Sequence, residues 1–272
     1  MLFEVGNLTI HSYGLMIALG VIVCSFALYR QAPRENINPD HLLEAVIISV
    51  FAGLIGARLL YVALNWDYFS ANPGEIIFTQ FAGLSFFGGL FLAVLALYFW
   101  SKWRKMGFLK MADLLAPYLG LGYAFGRIGC FLNGCCYGLE SDLPWALPAS
   151  MHDDLLRHPV QLYAALGALL IFVVLKLLRP KRPFIGFMLL ALFAFYGVLR
   201  FVVEFFRYEP EYWLGLSQAQ VLSLVLTLFS VLLILVFSRT RKRIKAKTAG
   251  YEDGSRMARS RKNKEKRTPG DE

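Results

Sequence analysis

Long apolar runs alternate with short connections along this chain, and that alternation fixes its solvent before it fixes its fold. Seven runs are read, at about 12–29, 43–64, 84–100, 112–132, 160–178, 184–205 and 216–237. A helix needs roughly 20 apolar residues to cross the hydrocarbon of a bilayer, and these runs have that length. Hydrocarbon offers no partner to backbone N–H and C=O groups, so each run is expected to close its own hydrogen bonds as a helix. Only 17% of the 272 residues are charged, against roughly 25% in soluble domains. That is too few to coat a water-facing surface, which excludes a soluble enzyme, a disordered chain and a disulfide scaffold. The expected fold is all-α: a polytopic membrane protein with about seven transmembrane helices.

Charge in the connections orients the helices. The first connection carries Arg30 and Arg34, the third Lys102, Arg104, Lys105 and Lys110, and the fifth Lys176, Arg179, Lys181 and Arg182. The second, Asn65 to Gly83, has no Lys or Arg, and the fourth and sixth have only Arg157 and Arg207 among more numerous acids. Cytoplasmic loops carry the excess of Lys and Arg, so the N-terminus is expected outside and the C-terminus in the cytoplasm. The first run is read as a span and not as a cleavable signal peptide, because Glu4 and no basic residue precedes it.

Of the 28 Lys and Arg, 13 lie from Arg239 onward. The net charge of +9 therefore belongs mostly to the tail, and a nucleic-acid partner is not expected. The reading divides the chain into a transmembrane domain, 1–238, and a basic cytoplasmic tail, 239–272, expected to be disordered and held near anionic headgroups.

Three arginines remain inside apolar runs: Arg58, Arg127 and Arg200. A charge at the bilayer centre costs at least about 2.5–3.5 kcal/mol, so each either snorkels to an interface or performs a task. All three fall in the later part of spans running from inside to outside, which places them in the outer leaflet half. Glu204 follows Arg200 by four residues, on one helix face, and Arg207 follows by three more. Planar guanidinium groups bind two phosphate oxygens at once. The inference is a phospholipid-binding cavity open to the outer leaflet.

The stretch Gly126-Arg127-Ile128-Gly129-Cys130-Phe131-Leu132-Asn133-Gly134-Cys135-Cys136-Tyr137-Gly138 has four glycines in thirteen residues. At membrane depth such irregular backbone is tolerated only where it is buried in protein or lines a cavity. The stretch closely resembles the signature of the prolipoprotein diacylglyceryl transferases. Further blocks resemble the same family in the same order: HSYGLM from His11, GARLLY from Gly56, LSFFGG from Leu84, RHPVQLY from Arg157 and YGVLRFVVEFFR from Tyr196.

The resemblance implies transfer of the diacylglyceryl group of phosphatidylglycerol to the lipobox cysteine thiol of a prolipoprotein signal peptide. It implies a site facing the outer leaflet of a bacterial inner membrane, and no metal or cofactor. It further implies that Arg127 and Arg200 hold the phosphate and stabilise the leaving group, while Glu204 orients Arg200. Asn133, with Gly126, Gly129, Gly134 and Gly138, would shape the headgroup site, joined by Arg58 and Arg207. Tyr13 would meet the headgroup or a proton in transit. His158 is read first as a structural hydrogen bond at the start of the fifth span and second as a catalytic group.

Three departures bear on chemistry. Phe87 stands where the family block carries the histidine taken to activate the thiol, Ala164 where a glutamate is frequent, and Cys130 where the family often has an asparagine. Phenylalanine accepts no proton, which leaves Tyr13, Glu204, His158 or thiolate already present near neutral pH. Those departures motivate two alternatives, a paralogue with another acceptor and a lipid-binding or transport protein without chemistry. Cys130, Cys135 and Cys136 match no familiar zinc spacing and are read as small packing residues or a disulfide. Truncation after Lys247 is expected to leave activity unchanged, which an assay of the shortened chain checks.

Overall fold

The structure, a computed structural model, describes residues 3–5, 8–10, 12–78, 83–148, 155–207, 211–213 and 215–265, with side chains over 12–76, 83–148, 155–207 and 215–241. His11 and three of the acids in the fourth and sixth connections, Asp153, Asp154 and Glu209, lie outside the described residues. A short antiparallel hairpin, β1 (Phe3–Val5) with β2 (Leu8–Ile10), precedes α1 (Ser12–Gln31), α2 (Pro39–Leu64), the short α3 (Trp66–Ala71) and α4 (Glu75–Phe78), α5 (Phe86–Trp103) and α6 (Phe108–Leu132). A two-residue pair follows, β3 (Leu147–Pro148) with β4 (Leu156–Arg157), then α7 (Val160–Leu178) and α8 (Phe187–Glu204). The pair β5 (Glu211–Trp213) and β6 (Leu216–Ser217) leads into α9 (Gln218–Glu265).

Every expected apolar run contains a long helix. Six of these, α1, α2, α5, α7, α8 and the apolar part of α9, are long and apolar enough to cross a membrane, so the chain is an all-α, multi-pass membrane protein. The remaining run, 112–132, lies in α6, which falls outside the six and carries Lys110, Asp113 and Arg127. Its polarity has a structural cause. α6 packs against α1, α5, α7 and α8, so protein rather than lipid covers much of it. Met111, Leu114 and Tyr118 of α6 join Leu28, Leu42, Leu97 and Trp100 in one core. Ala116 joins Ile171, Leu175, Met188 and Leu192 in a second.

Small residues set the closest helix contact. The backbones of α2 and α5 touch where Gly56 faces Gly88, and a methyl group at either would collide with the carbonyl of the other. Membrane helices lack a hydrophobic drive to associate, so such close approach supplies the packing energy.

Helical backbone continues from the last apolar run through the basic residues to Glu265. Lys, Arg and Ala favour helix, and extension of an existing helix avoids the cost of nucleation.

Asp113, fully buried on α6, accepts hydrogen bonds from the N–H groups of Gly186 (2.7 Å), Met188 (3.0 Å) and Leu189 (3.1 Å). Those are the orphan donors of the first turn of α8, so one carboxylate from a neighbouring helix caps the element that carries Arg200 and Glu204. Asp113→Ala is expected to destabilise the protein by about 2–3 kcal/mol, read as a lower unfolding midpoint in detergent, with Asp113→Asn recovering part of the loss.

Candidate functional site

One pole of the bundle gathers the starts of α1, α7 and α9 and the ends of α6 and α8. Tyr13 packs on Gly129, and Gln161 of α7 donates to the carbonyl of Cys135 at 2.7 Å. Ser217, just before α9, donates to Glu204 Oε1 at 3.4 Å. The connection after α6 is laced to its surroundings by backbone bonds. Gly138 N–H donates to the His158 carbonyl (3.0 Å), His158 N–H to Leu139 (2.9 Å) and Leu139 N–H to Phe206 (2.9 Å).

Local sequence dictates how α6 ends. Asn133 is the C-cap, and Gly134 adopts φ +65°, the left-handed conformation that favours glycine at a helix terminus. Cys136 adopts φ +62° two residues on, which turns the chain back. The sulfur atoms of Cys130, Cys135 and Cys136 consequently lie within 4.8 Å of one another. Gly138 admits no side chain, because a methyl group there would strike the Phe206 carbonyl, Val160 and His158.

Four of the charged side chains at this pole fall into two sets, Arg127 on α6 and Glu204 with its two arginines at the end of α8. Arg127 donates from Nε to the Tyr123 hydroxyl at 2.7 Å, and its guanidinium lies 4.8 Å from the centre of that ring. Tyr123 is braced edge-to-face by Tyr196 of α8 at 5.4 Å. Among the described residues no acceptor takes the Nη atoms of Arg127. On α8, Glu204 is 3% exposed. Its Oε2 lies 2.9 Å from Arg200 and 3.7 Å from Arg207. Both Arg127 and Arg200 act electrostatically on the Tyr123 hydroxyl, and both Arg127 and Arg207 act on Cys136. The pole therefore presents three guanidinium groups against one buried carboxylate, an arrangement suited to a phosphodiester anion.

The structure thus brings together Tyr13, Arg127, Asn133, Arg200, Glu204 and Arg207, with Gly126, Gly129, Gly134 and Gly138 shaping the backbone around them. Gly126 lies against Ile17 in ordinary contact, and Asn133 is hydrogen-bonded to Cys135. Arg58 is engaged elsewhere. It donates to the carbonyls of Ile76 (3.0 Å), Gly83 (3.2 Å) and Glu75 (2.7 Å), and lies 5.2 Å from the Phe69 ring centre. Its position matches a clasp on the α2–α5 connection.

His158 sits among aromatic rings. Its centroid is 5.1 Å from that of Phe206 and 6.1 Å from that of Tyr163, and Nδ1 is 3.3 Å from the Tyr163 hydroxyl, which also accepts from Trp145 at 2.8 Å. Phe87 is 75% exposed, with its ring against Phe86. Ala164 is buried with Val160 and Val203, with Tyr123, Tyr163 and Leu199 packed against them.

Sequence reasoning missed Tyr123, Gln161 and Ser217. Tyr123 was available to it, since the residue lies one helical turn before Arg127. The other two join the site only through chain reversals.

A multi-pass bundle with clustered guanidinium groups at one pole is a membrane protein equipped for a phosphate-bearing ligand. The chain belongs to the prolipoprotein diacylglyceryl transferase family, whose description matches residues 1–236. It is 35% identical over 238 residues to the phosphatidylglycerol–prolipoprotein diacylglyceryl transferase of Finegoldia magna, covering 87% of this chain and 95% of that one. The proteins of the same name from Clostridioides difficile and Geobacter sulfurreducens are 33% and 34% identical, each over 88% of this chain and over 96% and 95% of their own lengths.

The thiol cluster gives a direct test of the local geometry. The hydrogen bond from Cys130 holds the Cys136 thiol down to about 5, helped by Cys135 and the charges of Arg127 and Arg207, whereas burial pushes the Cys135 thiol up. The thiolate is the reactive form. At pH 7 iodoacetamide is expected to modify Cys136 faster than Cys135, and the Cys136 rate to fall as pH drops through about 5. Peptide mapping by mass spectrometry reads both.

Proposed function

We propose that this protein transfers the diacylglyceryl group of phosphatidylglycerol to the lipobox cysteine thiol of prolipoproteins, the first step of lipoprotein maturation. Its family and its named relatives support the reaction. The observation that carries the lipid end of it is the pairing of a buried Glu204 with Arg200 and Arg207 beside the open Nη face of Arg127. We place the protein in a bacterial inner membrane with this pole toward the outer leaflet, the N-terminus outside and the basic tail inside, on the charge of the loops. Residues 1–238 form the transferase domain and 239–272 the cytoplasmic tail.

In this reading the phosphodiester lies between Arg127 and Arg200. The cysteine sulfur attacks the glyceryl carbon that bears the phosphate oxygen. A C–S bond forms as that C–O bond breaks, and glycerol phosphate departs with the bonding electron pair. Negative charge on the departing phosphate grows in the transition state, where fixed guanidinium donors stabilise it most. Glu204 holds Arg200 in place and, being buried, keeps that charge from drifting to water. Tyr123 does the same for Arg127 through Nε. Tyr13 and Asn133 border the headgroup, and His158 positions the β4–α7 connection through its aromatic neighbours. The proton released by the thiol ends on the departing phosphate, whose monoester is the more basic product.

Purified protein incubated with phosphatidylglycerol and a lipobox peptide is expected to add one diacylglyceryl mass to the peptide. Arg127→Ala and Arg200→Ala should each lower kcat by about 10²–10³. Glu204→Gln should lower it by about tenfold, because one charge-assisted bond that orients Arg200 is lost. No mass gain from wild-type protein that still binds phosphatidylglycerol would point instead to a relative with another acceptor.

A further inference from the structure

The opposite pole carries a second cluster of cationic side chains, gathered around the buried Arg179. A cavity of about 370 Å³ opens between the end of α1 and the end of α7, lined by Gln31, Arg34, Glu35, Lys176, Arg179 and Arg182. Gln161 and Lys176 of α7 lie fifteen residues apart, so the cavity is about 22 Å along that helix from the Arg127–Glu204 pole.

Arg179 decides what the cavity is for. The residue is 6% exposed. Its Nε donates to Glu35 Oε1 at 3.0 Å, while among the described residues its buried Nη1 and Nη2 atoms have no hydrogen-bond partner. A buried guanidinium with two orphan donors carries a desolvation cost that an incoming acceptor removes. The remaining charges favour an anion. Arg182 donates to Glu35 Oε2 at 2.7 Å, so Glu35 is held between two arginines. Lys176 donates to Gln31 at 2.9 Å and to the Tyr118 hydroxyl at 3.2 Å, and Arg34 is exposed at the mouth. Four cations thus face one carboxylate.

We infer that this cavity is a second phosphate-binding site, in which the paired Nη donors of Arg179, with Arg34 and Lys176 beside them, hold a phosphate-bearing anion at the pole opposite the proposed transfer site. The planar pair of N–H groups matches two oxygens of one phosphate. Basic pockets between membrane helices accept lipid headgroups, and a cavity of this size admits a glycerophosphate group as well as free phosphate. Occupancy would tie α1 to α7 through the ligand, and so steady α6, which packs between them.

The inference stands apart from the proposed reaction, and its test removes the other pole. Full-length protein carrying Arg127→Ala and Arg200→Ala is titrated in micelles with phosphatidylglycerol, with phosphatidylcholine or with inorganic phosphate, and bound ligand is counted by native mass spectrometry. Binding of phosphatidylglycerol in preference to phosphatidylcholine, weakened about tenfold by Arg179→Lys, is the expected result and assigns a headgroup. Inorganic phosphate bound as tightly as the lipid, with the same loss in Arg179→Lys, supports the site and assigns a soluble anion. Arg34→Gln alters an exposed residue and should weaken binding severalfold without lowering the unfolding midpoint, which separates loss of the site from loss of the fold. No ligand retained, or retention indifferent to Arg179→Lys and Arg34→Gln, overturns the inference.

Discussion

The buried carboxylate of Glu204 is the interaction on which the functional pole depends. A lone ionised carboxylate at 3% exposure would be prohibitively costly, and so would the arginines around it, since buried charge is tolerated only when paired. Pairing them fixes more than a charge balance. Arg200 is one turn before Glu204 and Arg207 about one turn after it, so the carboxylate aligns two guanidinium groups along the end of α8. The Ser217 hydroxyl then ties the same carboxylate to the start of α9. In the proposed reaction a phosphate entering beside Arg200 would meet a cation already oriented by Glu204, and part of the reorganisation that water would require is avoided.

That arrangement is possible because α6 and α8 are held rigidly at their far ends. Asp113 of α6 caps α8, and the two helices share the apolar core around Ala116 and Met188. At the functional end they meet again through the edge-to-face pair of Tyr123 and Tyr196. The relative placement of Arg127 and Arg200 is therefore set by contacts at both ends of the same helix pair. This also explains why α6 is the least lipid-like of the long helices. It supplies a cap, a core face and a site arginine, and each of these faces protein.

The sequence was most informative where physics is local. Helix-forming runs follow from length and hydropathy, and the Arg200–Glu204 pair follows from i,i+4 spacing. Legibility failed where partners are distant in the chain. Arg58 reads like Arg127, as a charge late in an apolar run, yet its donors go to the carbonyls of Glu75, Ile76 and Gly83 in a connection whose path the sequence does not reveal. Gln161 and Ser217 look like ordinary polar residues at helix starts. Only the reversal after α6 and the β5–β6 turn bring them to Cys135 and Glu204. The count of spans shows the same limit, since hydropathy alone cannot tell a lipid-covered helix from one enclosed by its neighbours.

The departures at Phe87 and Ala164 bear on how the proposed reaction divides its barrier. Phe87 is largely exposed and carries no proton acceptor, and Ala164 is a buried methyl side chain beside Val160 and Val203. Neither position can serve a general base. A cysteine thiol already holds a few per cent thiolate at neutral pH, and cationic neighbours raise that fraction. Deprotonation is thus the cheaper part of the barrier, worth far less than the separation of a phosphate from carbon in a medium of low dielectric. The clustered guanidinium groups act on that second, larger part. In the proposed reaction a chain with Phe87 in place of the family's histidine but with Arg127, Arg200 and Glu204 keeps the groups that stabilise the departing phosphate.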